Sequence, residues 1–529
     1  MQGLRRRWIH TRANQRLERL EEEINQAAPR DPNARPVVFF NASTRLWGLS
    51  QNAGFQLAAS WAVRMAGVPT LHFACQGGLS RCVLAAAQYG GQALPPCSGC
   101  IAQSRAVLRH SQAHWFIGRA NPDLEAALSE LSTGELAGFA WQGVPLGELC
   151  LPGLRWTLRL HHLAEDEPTR FLFRQYILSA WRVVEEFTDL LQASQPQAVV
   201  VFNGMFYPEA AARWVARERF GLPVISHEVG LRPFTAFFTP GDATAYPIQI
   251  ADSFQLSPEQ NARLDAYLEQ RLKGNFTMAG VRFWPEMRRL DAAFLEKLAL
   301  FEQVVPVFTN VIFDTSQPHS NVVFSDMFEW LDQVLETARA NPRTLFVIRA
   351  HPDEIRPGKA ARESVAAWVE RSGAARLPNL HFVAASEYFS SYELIQRSKF
   401  VMVYNSTIGL EAALMGAAVL CAGRARLTQF ETVFFPGSIP EYQRKTAEFL
   451  RAESIPVPPE FRANARRFLY YQLYKTSLPF DAFLEEDGVW TGYARLKKLQ
   501  ARDFAPGASV VLDTVVGGIL KGAPFTLED

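Results

Sequence analysis

Apolar positions along the chain keep switching between two spacings. Short unbroken apolar runs bounded by Gly, Pro or Asn fit buried strands, and apolar residues three and four apart fit amphipathic helices. Leu17, Leu20 and Ile24 recur at helical spacing and predict a helix over 15–28, broken by Pro29, Pro32 and Pro36. Val37-Val38-Phe39-Phe40 then predicts a strand, 55–66 a helix ended by Gly67, and Pro69-Thr70-Leu71-His72-Phe73 a second strand. The order repeats at Ala198-Val199-Val200-Val201-Phe202, a helix over 208–219, and Pro223-Val224-Ile225-Ser226. Strand–helix–strand units of this kind build parallel sheets.

A second series begins near Pro306. Strands are predicted over 307–311, 344–348, 380–383, 400–404 and 418–421, with helices over 328–340, 392–398 and 409–414 between them. The expected fold class is therefore α/β, with two Rossmann-like domains joined near 285–305 and facing a central cleft. The expected division is a helical arm over 1–35, a first domain over 36–300 with a Cys-rich insertion over 75–100, and a second domain over 301–455. A helical C-terminal segment over 456–529 would pack across both.

Length and charge narrow the picture. At 529 residues the chain exceeds what one core usually supports, which agrees with two domains. Charged residues are 20% and hydrophobic residues 48%, an ordinary globular balance. A net charge of +1 provides no field to gather nucleic acid, so no such partner is expected. No apolar run reaches the ~18 residues of a membrane helix. Arg5-Arg6-Arg7 is followed by Trp8-Ile9-His10 and then by charged residues, unlike a secretory signal, so a cytoplasmic protein is expected. The basic N-terminus invites peripheral contact with anionic lipid of the inner membrane, although a solvated arm is the simpler reading.

Ligands of open α/β sheets bind beyond the carboxyl ends of the strands, and there the predicted strands turn polar. Tyr404 is followed by Asn405-Ser406-Thr407-Ile408-Gly409-Leu410-Glu411. Ser406 and Thr407 would cap a helix whose free N–H groups suit a phosphate, Gly409 would let a ligand or strand approach, and Glu411 would accept ribose hydroxyls. Arg349-Ala350-His351-Pro352 ends another strand, where Arg349 and His351 would donate to a diphosphate. Asn310 ends a third and would orient the same ligand. Asp314 reads equally as a turn residue.

The cysteines fall as Cys75, Cys82, Cys97 and Cys100, then Cys150 and Cys421. The Cys97-Ser98-Gly99-Cys100 knuckle with Cys75 and Cys82 makes a candidate structural zinc site, with an iron–sulfur cluster as the weaker option. Four thiols that bind nothing is the alternative.

Taken in order, Phe308-Thr309-Asn310-Val311, Phe328-Glu329-Trp330-Leu331, Ile348-Arg349-Ala350-His351-Pro352-Asp353-Glu354, Ser390-Ser391-Tyr392-Glu393, Tyr404-Asn405-Ser406-Thr407-Ile408-Gly409-Leu410-Glu411 and Val419-Leu420-Cys421-Ala422-Gly423 resemble bacterial capsule and surface-polysaccharide glycosyltransferases of the GT-B type. The resemblance covers roughly residues 300–480. It implies a GT-B fold with a nucleotide-sugar donor held by the second domain through Asn310, Arg349, His351, Asn405, Ser406, Thr407, Gly409 and Glu411. It implies a glycan or lipid-linked glycan acceptor on the first domain and no cofactor required for catalysis, a metal included. In the first domain, Asn203-Gly204-Met205-Phe206 and Ser226-His227-Glu228-Val229-Gly230 match the family's paired loops more loosely. By that likeness Glu228 or His227 would be the general base, and Asn52, Gly54 and Asn203 would line the acceptor side. Two other functions suit the same pattern: a non-hydrolysing nucleotide-sugar epimerase, and a non-catalytic glycan- or nucleotide-sugar-binding subunit of a capsule assembly complex.

Overall fold

The computed structural model describes residues 2–31, 33–42, 48–85, 94–95, 97–272, 287–356, 358, 360–487 and 493–528, with side chains from residue 11 onward. The first sheet is built from β1 (Val37–Asn41), β2 (Thr70–Cys75), β3 (Gln112–Phe116), β4 (Ala198–Phe202), β5 (Val224–Val229) and β6 (Thr235–Thr239). The second contains β7 (Gln303–Phe308), β8 (Thr344–Arg349), β9 (Leu380–Val383), β10 (Val401–Val403) and β11 (Val419–Cys421). Three short strands follow: β12 (Leu478–Pro479), β13 (Leu484–Glu486) and β14 (Ala494–Leu496).

Both sheets wind alike. Strands β3-β2-β1-β4-β5 are parallel neighbours, and antiparallel β6 and β12 extend the sheet to seven strands. The second sheet runs β9-β8-β7-β10-β11, all parallel. Counted within its own domain, each reads 3-2-1-4-5. Each therefore has a topological switch point, at β1/β4 and at β7/β10, where a crevice opens beyond the strand ends.

Side-chain alternation explains why these runs are apolar throughout. Val37, Phe39, Val200 and Ile225 face one layer, and Val38, Phe40, Val199, Val201 and Val224 face the other. Buried helices cover both faces. The helix Gln51–Met65 lies on one, and the helices Leu146–Leu158 and Glu167–Ser194 lie on the other. The N-terminal helix spans Gln2–Ala27, longer than its apolar spacing alone predicts. Leu17, Leu20 and Ile24 are its buried stripe. Glu21, fully buried, accepts from Arg64 Nη1 at 3.1 Å and from the His110 backbone N–H at 2.7 Å, which fixes that helix to the helix Gln51–Met65 and to the loop ahead of β3.

The end of the chain crosses from one domain to the other. The helix Pro459–Tyr470 buries Ala465, Phe468 and Leu469 in the core of the second domain. The helix Val510–Lys521 buries Leu512, Val515 and Ile519 in the core of the first. The expectation of a mostly helical segment is corrected between them. Leu478 pairs with Ala236 along the open edge of β6, and β13 pairs with β14, so this stretch completes a sheet edge. No helix among the described residues is long and apolar enough to cross a membrane. The side chains of Arg5-Arg6-Arg7-Trp8-Ile9 lie outside the described residues.

Candidate functional site

The carboxyl ends of both sheets open onto one cleft of about 720 Å³. Its first-domain wall is set by β4 and β5. Along β5 alternate side chains point to opposite faces, so Glu228 and His227 part company. Glu228 faces the cleft and stays partly exposed. Its carboxylate accepts from Asn203 Nδ2 at 2.6 Å and from the Val229 N–H at 3.1 Å. Burial raises its pKa against those two bonds, and the nearby Asp314 adds to the rise. Asn203 sits in the left-handed region at φ 57°, and its Oδ1 accepts from the Met205 N–H at 3.0 Å. That local turn aims its amide at Glu228.

His227 does not reach the cleft, which corrects its candidacy as a base. It is fully buried and stacks on Phe238 with ring centroids 5.1 Å apart. Burial lowers its pKa to about 3, so it is a neutral core histidine. Gly54 is likewise not an acceptor contact. It lies inside the helix Gln51–Met65, where an added Cβ would stand 2.8 Å from the Leu484 methyls, so its task is close packing against β13. Asn52 does line the cleft, and its buried Oδ1 has no hydrogen-bond partner among the described residues.

On the opposite wall, Asn310 and Asn405 follow the adjacent strands β7 and β10 and meet across the switch point. Asn310 Nδ2 donates to Asn405 Oδ1 at 2.6 Å, and Asn405 Nδ2 donates to Ser320 Oγ at 2.7 Å. Ser406 and Thr407 line the cleft beside them, ahead of the short helix Ile408–Leu414. His351 lines it too. Its Nδ1 accepts from the Asp353 N–H at 3.1 Å, and burial lowers its pKa, so the neutral ring carries its proton on Nε2 as a donor. Asp314 is a cleft-lining turn residue whose Oδ1 accepts from the Ser316 N–H at 2.9 Å.

Three expected donor contacts point elsewhere. Arg349 ends β8, is 5% exposed and donates from Nη1 to the Phe389 carbonyl at 2.5 Å. Burial lowers its pKa to about 10. Glu411 lies one turn into its helix and away from the cleft. Arg271 donates to its Oε1 from Nε at 2.8 Å and from Nη2 at 2.6 Å, and the Tyr392 hydroxyl donates to Oε2 at 2.6 Å. Gly409 faces Val403, 3.1 Å from where a Cβ would stand, so it is the strand and not a ligand that approaches closely.

Residues 289–444 match the model of a family described as capsule polysaccharide biosynthesis protein. The matched stretch takes in all five strands of the second sheet, β7 to β11. Among solved structures the chain is similar to two of KpsC from Thermosulfurimonas dismutans. One is a beta Kdo 2,4 transferase, at 13% identity over 61% of this chain and 88% of that one, with a TM-score of 0.35. The other is a beta Kdo 2,7 transferase, at 17% identity over 55% and 88%, with a TM-score of 0.31. A UDP-GlcNAc 2-epimerase from Neisseria meningitidis is similar at 12% identity over 83% and 99%, with a TM-score of 0.22. Likenesses this distant carry no argument about activity. No curated protein matches the chain.

The second domain supplies two cations that the motif reading passed over. Arg424 and Arg426, in the loop after β11, line the cleft, and the Arg426 guanidinium lies over the Tyr246 ring. The Arg424 N–H donates to the Ser320 carbonyl at 2.9 Å, which ties this loop to the residue that holds Asn405. Their signal was present as a Gly-Arg-Ala-Arg run directly after the last predicted strand. The thiols of Cys75, Cys82, Cys97 and Cys100 are free, and burial raises all four, Cys82 to about 12 and Cys100 to about 11. Cys75 adds to the rise at Cys82, Cys97 and Cys100, so the four thiols share one neighbourhood. The compact His/Cys/Asp/Glu cluster among the described residues is His161, His162 and Asp326.

Proposed function

We propose that the protein is a glycosyltransferase of capsule polysaccharide synthesis. It moves a sugar from a nucleotide-sugar donor to a hydroxyl of a surface-polysaccharide or lipid-linked glycan acceptor. The observation that carries this reading is a proton-accepting carboxylate, Glu228, facing polar and cationic strand ends of the capsule-synthesis domain across a single cleft.

In this reading the acceptor hydroxyl binds on the first-domain side, near Asn52 and Asn203, and the donor lies against the opposite wall. Glu228 takes the hydroxyl proton as the oxygen attacks the anomeric carbon. The bond from that carbon to the phosphate oxygen breaks, and the nucleotide leaves with the added negative charge. Arg424, Arg426, His351 Nε2–H and the hydroxyls of Ser406 and Thr407 are the groups placed to meet that charge. Protein cations suffice for it, so no catalytic metal is invoked. Asn310 and Asn405, bonded to one another and to Ser320, form a rigid floor between the two strand ends. The acceptor would be met at the cytoplasmic face of the inner membrane.

Glu228→Gln tests the assignment, because the amide oxygen can still accept from Asn203 while the base is lost. Transfer should fall by about 10²–10⁴-fold with donor binding intact. An unchanged transfer rate would remove Glu228 from the chemistry.

A further inference from the structure

Outside the cleft, the two domains meet at a cluster that transfer chemistry does not use. His161 and His162 lie in the first domain, between the helices Leu146–Leu158 and Glu167–Ser194. Asp326 caps the helix Met327–Ala340, and Glu363 sits just before the helix Val365–Ser372, both in the second domain.

The arrangement is that of a histidine held from behind. Glu363 Oε1 lies 2.6 Å from His162 Nδ1, and its Oε2 accepts the backbone N–H groups of His161 at 2.9 Å and His162 at 3.0 Å. His162 Nε2 is thereby aimed at Asp326 Oδ2, 3.2 Å away. Asp326 Oδ1 is occupied by the Phe328 N–H at 2.6 Å and the Glu329 N–H at 3.1 Å, which leaves Oδ2 as the oxygen facing the histidines. His161 brings a ring nitrogen into the same space, and one ligand atom from each of the three residues lies within 4.8 Å of the others. A proton on His162 Nε2 would satisfy the contact with Asp326. It does nothing for His161, which is 5% exposed and whose Nδ1 is buried with no hydrogen-bond partner. One divalent ion would satisfy both imidazoles and the carboxylate together.

We propose that His161, His162 and Asp326 bind a divalent transition-metal ion, zinc by preference, that clasps the two domains, with Glu363 as the positioning residue behind His162. Two imidazoles and a carboxylate suit zinc and its neighbours in the first transition row, and a carboxylate hydrogen-bonded to the far nitrogen of a ligating histidine is the usual support of such a site. The ion stands apart from the proposed reaction, and the site draws on four residues that do not line the cleft.

The test is cobalt(II) titration of the full-length protein followed by visible absorption, then displacement by zinc(II). One ion per chain is expected, with ligand-field bands of nitrogen and oxygen ligation and no thiolate charge-transfer band. His161→Asn and Asp326→Asn should each weaken zinc binding by more than about 100-fold, and Glu363→Gln by about 10–100-fold. Asp326→Asn keeps an oxygen for the helix cap, so circular dichroism should show it folded and able to decide the matter if His161→Asn does not fold. Cys97→Ser with Cys100→Ser should leave binding unchanged. The proposal is overturned if the wild-type chain binds no cobalt or zinc, if a thiolate band appears that the cysteine substitutions remove, or if Asp326→Asn binds zinc as tightly as the wild type.

Discussion

Glu411→Ala separates the structure from the motif most sharply. The motif makes Glu411 a ribose ligand, whereas the structure makes it the anchor of Arg271 and Tyr392. Truncation would strand a guanidinium that now donates twice to Oε1 and a hydroxyl that donates to Oε2. The side chains are 9% exposed for Glu411 and 20% for Arg271, so this is a nearly buried pair. Removing one partner of a fully buried pair costs about 3–5 kcal/mol. Water can still reach part of Arg271, which places the expected loss at the lower end, about 3 kcal/mol. For a domain of this size that is a fall in Tm of about 6–12 °C. The assay is thermal and urea unfolding of Glu411→Ala, Arg271→Ala and the double substitution, alongside donor KM. The double substitution should be little worse than either single one, and donor KM should stay within about twofold. A Tm equal to wild type together with a donor KM raised tenfold or more would refute the reasoning.

Other consequences follow from the same geometry. Burial raises the Glu354 carboxyl to about 7, above its ordinary 4.5. The unfolded chain therefore releases that proton first, and stability falls as pH climbs from about 4.5 to about 7, by roughly 3 kcal/mol. Glu354→Gln should flatten that slope in urea midpoints and be more stable than the wild type at pH ~8. Gly54→Ala should lower stability by about 1–3 kcal/mol through crowding of Leu484, with acceptor KM unchanged in a transfer assay. Arg424→Ala should weaken donor binding by about 10–100-fold in calorimetry, the loss of one charge-assisted hydrogen bond, with Tm within about 2 °C of wild type.

The backbone was more legible than the site. The parallel strands β1, β4 and β8 are buried on both faces, so hydropathy alone marked them. β3 escaped notice because it is an edge strand, Gln-Ala-His-Trp-Phe, that is mostly only half-buried and mixes polar with apolar residues. β6 escaped because an antiparallel strand breaks the β/α rhythm on which the reading relied. At the site, the polar strand-end residues Asn203, Glu228, Asn310, His351, Asn405, Ser406 and Thr407 line the cleft. Which neighbour faces the cleft was not legible. One step along β5 turns His227 into the core, and β8 turns Arg349 onto Phe389. Glu411 was misread because its partner, Arg271, lies 140 residues away in sequence and in no recognised motif. The clasp residues come from three separate segments of two domains, which no local spacing links.

The central claim is transfer from a nucleotide sugar, and acceptor-dependent release of nucleotide tests it most directly. The full chain would be incubated with CMP-, UDP-, GDP- and dTDP-sugars in turn, with and without a lipid-linked glycan acceptor, and free nucleotide and product mass followed. One donor class should release nucleotide only when acceptor is present, with the glycan gaining one sugar and Glu228→Gln abolishing both signals. Conversion of a donor to its epimer without any acceptor, or binding of nucleotide sugar with no turnover under any pairing, would contradict the account.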